Sequence, residues 1–125
     1  KNKIIDMEIK KTGKLFSFCC VVPAIIKKKN KKDIKIFENI GANIGLLFQI
    51  ADDLIDFKGS SKIAGKTTGK DKKKGKATLI SLLGYHNAIK YSDQIKFKII
   101  KDLKKHRLNS NNLYETLDYI LKRNK

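Results

Sequence analysis

Arginine is almost missing from a strongly basic chain. Of 29 Lys and Arg residues only Arg107 and Arg123 are Arg, and the formal net charge is +17. Sequence-specific DNA readers use Arg forks on guanine, and RNA binders add exposed aromatics for stacking. The six Phe and four Tyr mostly fall at helical core spacing instead. The Lys excess therefore reads as solvated faces with no specific nucleic-acid partner, although nonspecific polyanion binding at low salt follows from the charge alone. Cysteine is scarce too. Cys19 and Cys20 are adjacent in an apolar helical context, without CxxC or Cys/His spacing. That excludes a zinc site or disulfide framework and suggests two reduced core thiols in a cytoplasmic protein. Long apolar runs are absent. The longest, residues 15–26, contains Ser17 and Pro23, is too short to span a bilayer, and resembles no signal peptide.

Alternating strand patterns and internal repeats are also missing, so the fold class is all-α. Residues 2–26 form a helical pattern that Pro23 kinks or ends, followed by a basic turn over 27–32. Asp33 is the expected N-cap of a long helix reaching about Phe57. Over 58–76 the apolar period collapses among Gly59, Gly65, Gly69, Gly75 and eight Lys, which predicts a mobile cationic loop. Helix resumes over 77–83 and continues through 88–108, with Gly84 offering a break. A turn at 109–112 leads to a last helix over 113–121, with Leu113, Leu117, Ile120 and Leu121 on one side. Tyr85, Tyr91, Tyr114 and Tyr119 are expected to be packing residues with wet tips. His86 and His106 have no carboxylate or Cys at ligand spacing and read as structural or exposed.

The long helix carries the chemistry. Phe37, Ile40, Ile44, Leu47, Phe48, Ala51 and Leu54 make a buried stripe. Gln49, Asp52, Asp53 and Asp56 fall at i, i+3, i+4 and i+7 and share one face. Three like charges there repel, and desolvating them costs several kcal/mol in order of magnitude unless a cation compensates. Mg²⁺, a hard cation that completes its shell with water and phosphate oxygens, is the natural compensation. In the cationic loop, Gly65-Lys66 and Gly75-Lys76 set ammonium groups beside glycines that allow an anion to approach. The spacing is not that of a Walker loop, Ala77 replaces Ser/Thr, and no strand precedes it. Lys11-Thr12-Gly13 adds a cation and a hydroxyl on another helix. Together these describe a diphosphate held through Mg²⁺ and by charge-assisted hydrogen bonds.

In order and spacing these blocks resemble the trans-polyprenyl diphosphate synthases. Phe48-Gln49-Ile50-x-Asp52-Asp53-x-x-Asp56 is similar to the family's second Asp-rich motif, and Lys11-Thr12-Gly13-Lys14-Leu15-Phe16 to its KTG segment. Residues 65–79 resemble its diphosphate-contacting loop, Leu82-Leu83-Gly84 its usual sequel, and 119–125 the end of bacterial farnesyl diphosphate synthases. The resemblance implies the isoprenoid synthase helical bundle, with residues 1–125 forming the C-terminal part of a single polyprenyl synthetase domain. The chain begins at Lys1 without an initiator Met, and the family's first Asp-rich motif is missing from it. It implies Mg²⁺ on Asp52, Asp53 and Asp56, and an allylic diphosphate contacted by Lys11, Lys66 and Lys76. Thr12 and Gln49, beside Phe48, would turn oxygen dipoles toward an allylic carbocation. The expected reaction is prenyl transfer to isopentenyl diphosphate, giving farnesyl or geranylgeranyl diphosphate, in an enzyme that is homodimeric at full length. The 125 residues alone are expected to be inactive.

Each of these residues also has a plainer reading. Three acids on a helix are usually solvated or paired with Lys, and a lone Lys11 would be a surface residue. A degenerate, non-catalytic subunit of the same family and a Lys-rich module for nucleic acid or anionic membrane are the alternative functions. Mg²⁺-dependent protection by a diphosphate separates the family readings from the last one.

Overall fold

The computed structural model of the chain describes residues 2–64, 78–106 and 111–122, and the described residues contain helix and no strand. The order is α1 (Asn2–Glu8), a π-helical turn (Ile9–Gly13), α2 (Lys14–Ile26), α3 (Lys31–Ala64), α4 (Leu79–Leu83), α5 (Tyr85–Lys105) and α6 (Asn111–Lys122). The all-α expectation holds.

α3 is the axis of the bundle. Ile40, Ile44, Leu47, Ile50, Ala51 and Leu54 lie in its buried stripe, each 4% exposed or less. Phe37 and Phe48 of the expected stripe are only half-buried. α5 answers with Ala88, Ser92, Ile95, Ile99 and Leu103, spaced by three and four, and α6 with Leu117 and Ile120. Ser92 sits in that apolar row because its hydroxyl donates to the Ile89 carbonyl at 2.7 Å. Lys96 Nζ also donates to Asp118 Oδ1, tying α5 to α6.

Several element boundaries differ from expectation, each for a local reason. Asn30, not Asp33, caps α3: Asn30 Oδ1 accepts from Asp33 N at 2.9 Å and its amide donates to the Asp33 carboxylate at 3.1 Å. Asn30 thus caps the third helical N–H, and a side-chain bond to the Asp33 carboxylate braces the cap. α3 runs to Ala64, past Phe57 and through the first part of the expected loop. Propagating a helix adds one hydrogen bond per residue fixed and outweighs the roughly 1 kcal/mol cost of Gly59. Phe57 also stacks on Tyr85, with ring centroids 5.4 Å apart. The rest of that loop, with Lys66 and Lys76, lies outside the described residues.

α2 passes through Pro23 and ends at Ile26. α4 starts at Leu79, after Thr78, whose side chain accepts from Ser81 N while Ser81 Oγ accepts from Thr78 N. Gly84 breaks the path to α5 at φ 79°, where any other residue would be strained. α5 ends at Lys105 instead of 108, and α6 begins at Asn111, inside the expected turn. Cys19 is exposed and Cys20 half-buried, both free, because neighbours about 100° apart around a helix cannot both face one core. Tyr119, at 67% exposed, is not a packing residue. No helix among the described residues is long and apolar enough to cross a membrane.

Candidate diphosphate and metal site

Every fourth residue of α3 from Gly41 falls on one row: Gly41, Gly45, Gln49 and Asp53. The row faces α1, the π turn and α2, which run antiparallel to it. At one end Ser17 Oγ donates to the Glu38 carbonyl at 2.9 Å. A Cβ on Gly41 would lie 2.5 Å from the Phe16 carbonyl oxygen, and one on Gly45 only 2.6 Å from Gly13 Cα. No side chain separates the backbones there. This contact lets Thr12 reach across: its hydroxyl donates to Gln49 Oε1 at 3.1 Å, and Gln49 Nε2 donates to Asp53 Oδ1 at a long 3.4 Å. The KTG segment and the Asp-rich helix, 37 residues apart in sequence, are joined by this chain of polar groups.

The π turn determines what lies beyond Thr12. Such turns hold an extra residue within a helix and recur at functional sites. Toward α3 the buried positions step from Ser17 to Gly13 and then five residues back to Glu8. Glu8 is 4% exposed, and its Oε2 has no hydrogen-bond partner. Burial pushes its carboxyl above the usual range; the Lys11 ammonium draws it back and Asp53 adds to the rise. The sequence reading missed Glu8 entirely. An uninterrupted helical period turns it outward and sends Asp6 and Lys10 in, whereas those two form an exposed ion pair at 2.7 Å.

Asp53 shows the matching signature. Burial raises its carboxyl, the Gln49 amide lowers it, and Asp56, Lys11 and Asp52 act in turn, Lys11 alone among them downward. Asp52 and Asp53 are half-buried, while Asp56 and Lys11 are exposed. The predicted residues Lys11, Thr12, Gln49 and Asp53 are thus brought together, with Asp52 and Asp56 on the adjoining surface of α3. Phe48 packs on Phe16, ring centroids 5.6 Å apart. Among the described residues no three His, Cys, Asp or Glu side chains form a ready-made metal cage. The donor set nevertheless fits a hard cation. It is all oxygen, its central carboxylate is partly desolvated, and α1, packed against α3, carries an orphaned carboxylate oxygen.

A separate cavity of about 370 Å³ lies where α3, α5 and α6 meet, lined by Leu54, Ile89, Ser92 and the Lys96–Asp118 pair among others. It contains none of the site residues that the sequence singled out.

The sequence matches the Polyprenyl synthetase family over residues 2–119. It is 36% identical over 124 residues to a farnesyl diphosphate synthase of Micrococcus luteus, covering 99% of this chain and 43% of that protein. To a geranylgeranyl diphosphate synthase of Cyanophora paradoxa it is 33% identical, covering 94% and 39%. The structure resembles the Helicobacter pylori geranyltransferase crystallised with magnesium and isoprenyl diphosphate, with a TM-score of 0.68, 28% identity, and coverage of 97% of this chain and 40% of that one. The chain therefore spans less than half the length of these relatives. Through a family match covering nearly all of its length, the chain belongs to the polyprenyl synthetase family.

Proposed function

We propose that this chain supplies one wall of a Mg²⁺-dependent prenyltransferase site, in which an allylic diphosphate condenses with isopentenyl diphosphate to a farnesyl- or geranylgeranyl-length product. The observation that carries this reading is the Thr12–Gln49–Asp53 hydrogen-bonded chain. It links the Lys11-Thr12-Gly13 segment to the acidic helix in a family whose relatives include farnesyl and geranylgeranyl diphosphate synthases.

Asp52, Asp53 and Asp56 would hold Mg²⁺, which when bound neutralises charge on the diphosphate leaving group. Lys11, exposed at the rim, offers its ammonium to the same phosphates, and Lys66 and Lys76 belong to the same proposed set. The allylic C–O bond breaks, the isopentenyl double bond attacks the cation, and a proton is lost, with the departing diphosphate as the base. Gln49 has a defined part in this. Its Oε1 accepts from Thr12 and its Nε2 donates to Asp53, so its amide is fixed from both ends. A fixed amide oxygen and the free lone pairs of Thr12 Oγ1 are preorganised dipoles, able to stabilise positive charge away from water. Homodimerisation at full length and a cytoplasmic location belong to the same proposal.

The experiment is thermal unfolding of the chain with Mg²⁺ and inorganic diphosphate, separately and together. Stabilisation that needs both, and that Asp52→Asn abolishes, supports the reading. Salt-sensitive DNA binding with no Mg²⁺ effect overturns it in favour of a basic binding module.

A further inference from the structure

Glu8 has no part in the reactions above, yet it is the buried side-chain group without a hydrogen-bond partner among the described residues. At 4% exposure it has surrendered water without gaining a donor. An ionised carboxylate in that state is strongly destabilised unless a cation or a proton meets it.

Its position specifies what it faces. Ser17 meets the Glu38 carbonyl, Gly13 meets Gly45, and Thr12 meets Gln49. One turn before Thr12 is Glu8; one turn after Gln49 is Asp53. The rise that Asp53 adds to the Glu8 carboxyl across the helix pair agrees with that placement. Lys11, the cation that acts on both, is exposed at the rim. Its ammonium offsets only part of the cost of burial, since both carboxyls stay raised.

We propose that Glu8 and Asp53 together hold a divalent cation across the α1–α3 interface, Glu8 through its unpartnered Oε2. Two carboxylates from facing helices, completed by water and phosphate oxygens, is the protein share that Mg²⁺ ordinarily takes. The arrangement does not require three carboxylates to converge, in line with the lack of such a group among the described residues. Glu8 thereby becomes an additional acid of the metal-binding wall, contributed by the helix opposite the Asp-rich motif. The inference rests on the proposed function in that α3 must be a metal-binding wall.

The test is a Mg²⁺ titration of the chain with inorganic diphosphate present, read by thermal unfolding and not by turnover. Glu8→Gln should move the Mg²⁺ midpoint upward on the order of tenfold, the scale seen when a supporting metal-site group is lost. It should also raise the metal-free melting temperature, because it removes a buried charge. Glu8→Asp keeps the charge with a shorter reach and should fall between the two. A midpoint that Glu8→Gln leaves unchanged overturns the proposal and leaves the parent reading intact; a proton shared by the two carboxyls would give that result. A wild-type chain with no Mg²⁺-dependent shift overturns both. If Glu8→Gln does not fold, Mn²⁺ binding to Glu8→Asp followed by electron paramagnetic resonance decides, with affinity equal to wild type overturning the proposal.

Discussion

Gly45 lies so close to Gly13 that a methyl group at position 45 would sit 2.6 Å from the Gly13 Cα. The atom in the way is backbone, so nothing flexible can give. Gly45→Ala should push α2 from α3 and destabilise the fold by about 1–3 kcal/mol, as overpacking does. It should also separate Thr12 from Gln49 and weaken diphosphate-dependent stabilisation. Gly59→Ala is the control. Nothing lies within 4 Å of a Cβ there, and helix propensity predicts a gain of about 0.5–1 kcal/mol. Urea denaturation of the two variants should move in opposite directions.

Without metal, Glu8 should also make stability depend on pH. Its carboxyl is raised above 4.5, chiefly by burial. A raised acid holds its proton more tightly folded than unfolded. Its contribution is favourable below the unfolded value and lost as pH rises through the folded one. Glu8→Gln should therefore melt higher than wild type at pH 7, and the difference should shrink as pH falls through the carboxylate range. Glu38 works the other way. The Lys35 ammonium, 2.7 Å away, holds it below 4.5, so its contribution is lost on acidification and Glu38→Gln should not mimic Glu8→Gln.

α6 is attached by two kinds of contact of unequal weight. Leu117 is fully buried and Ile120 is 5% exposed, while the Lys96–Asp118 ion pair keeps contact with solvent, its side chains 28% and 44% exposed. Leu117→Ala should cost about 2–5 kcal/mol through lost burial and the cavity left behind. Lys96→Gln should change stability far less, since exposed ion pairs contribute little. Thermal denaturation of both variants checks the ranking, and a larger effect for Lys96→Gln would refute it.

Thr78 begins α4 with a reciprocal pair of 3.1 Å hydrogen bonds to Ser81. A five-residue helix has few other means of satisfying its first N–H groups. Thr78→Ala should cost about 1 kcal/mol and Thr78→Ser much less, measured by the urea midpoint.

Much of this was legible in the sequence because it depends on the regular helical period. The apolar stripe of α3, the shared face of Gln49 and the three Asp, and the core row of α6 follow from 3.6 residues per turn. The pairing of Thr12 with Gln49 was not readable as a contact, since nothing local specifies which helices meet. The glycines that permit it, Gly41 and Gly45, are informative only once a partner backbone is known. Glu8 was hidden for a different reason: a period carried unbroken across residues 9–13 assigns it to the solvent side. Cys19 and Cys20 failed on elementary geometry, because adjacent helix positions diverge. Asn30 was passed over because Asp33 is also a good cap residue, and only the backbone shows which one precedes the first turn.

The π turn at Ile9–Gly13 makes the first 26 residues a single rod with two phases. On its far side every side chain is rotated by about one residue step, roughly 100°, from where a continuous α-helix would carry it. The identities of the acids are therefore only half of what the wall encodes; the other half is a count of residues. The same letters wound as an unbroken α-helix would offer Lys10 to α3 and send Glu8 to water, turning an anionic cleft into an internally neutralised one.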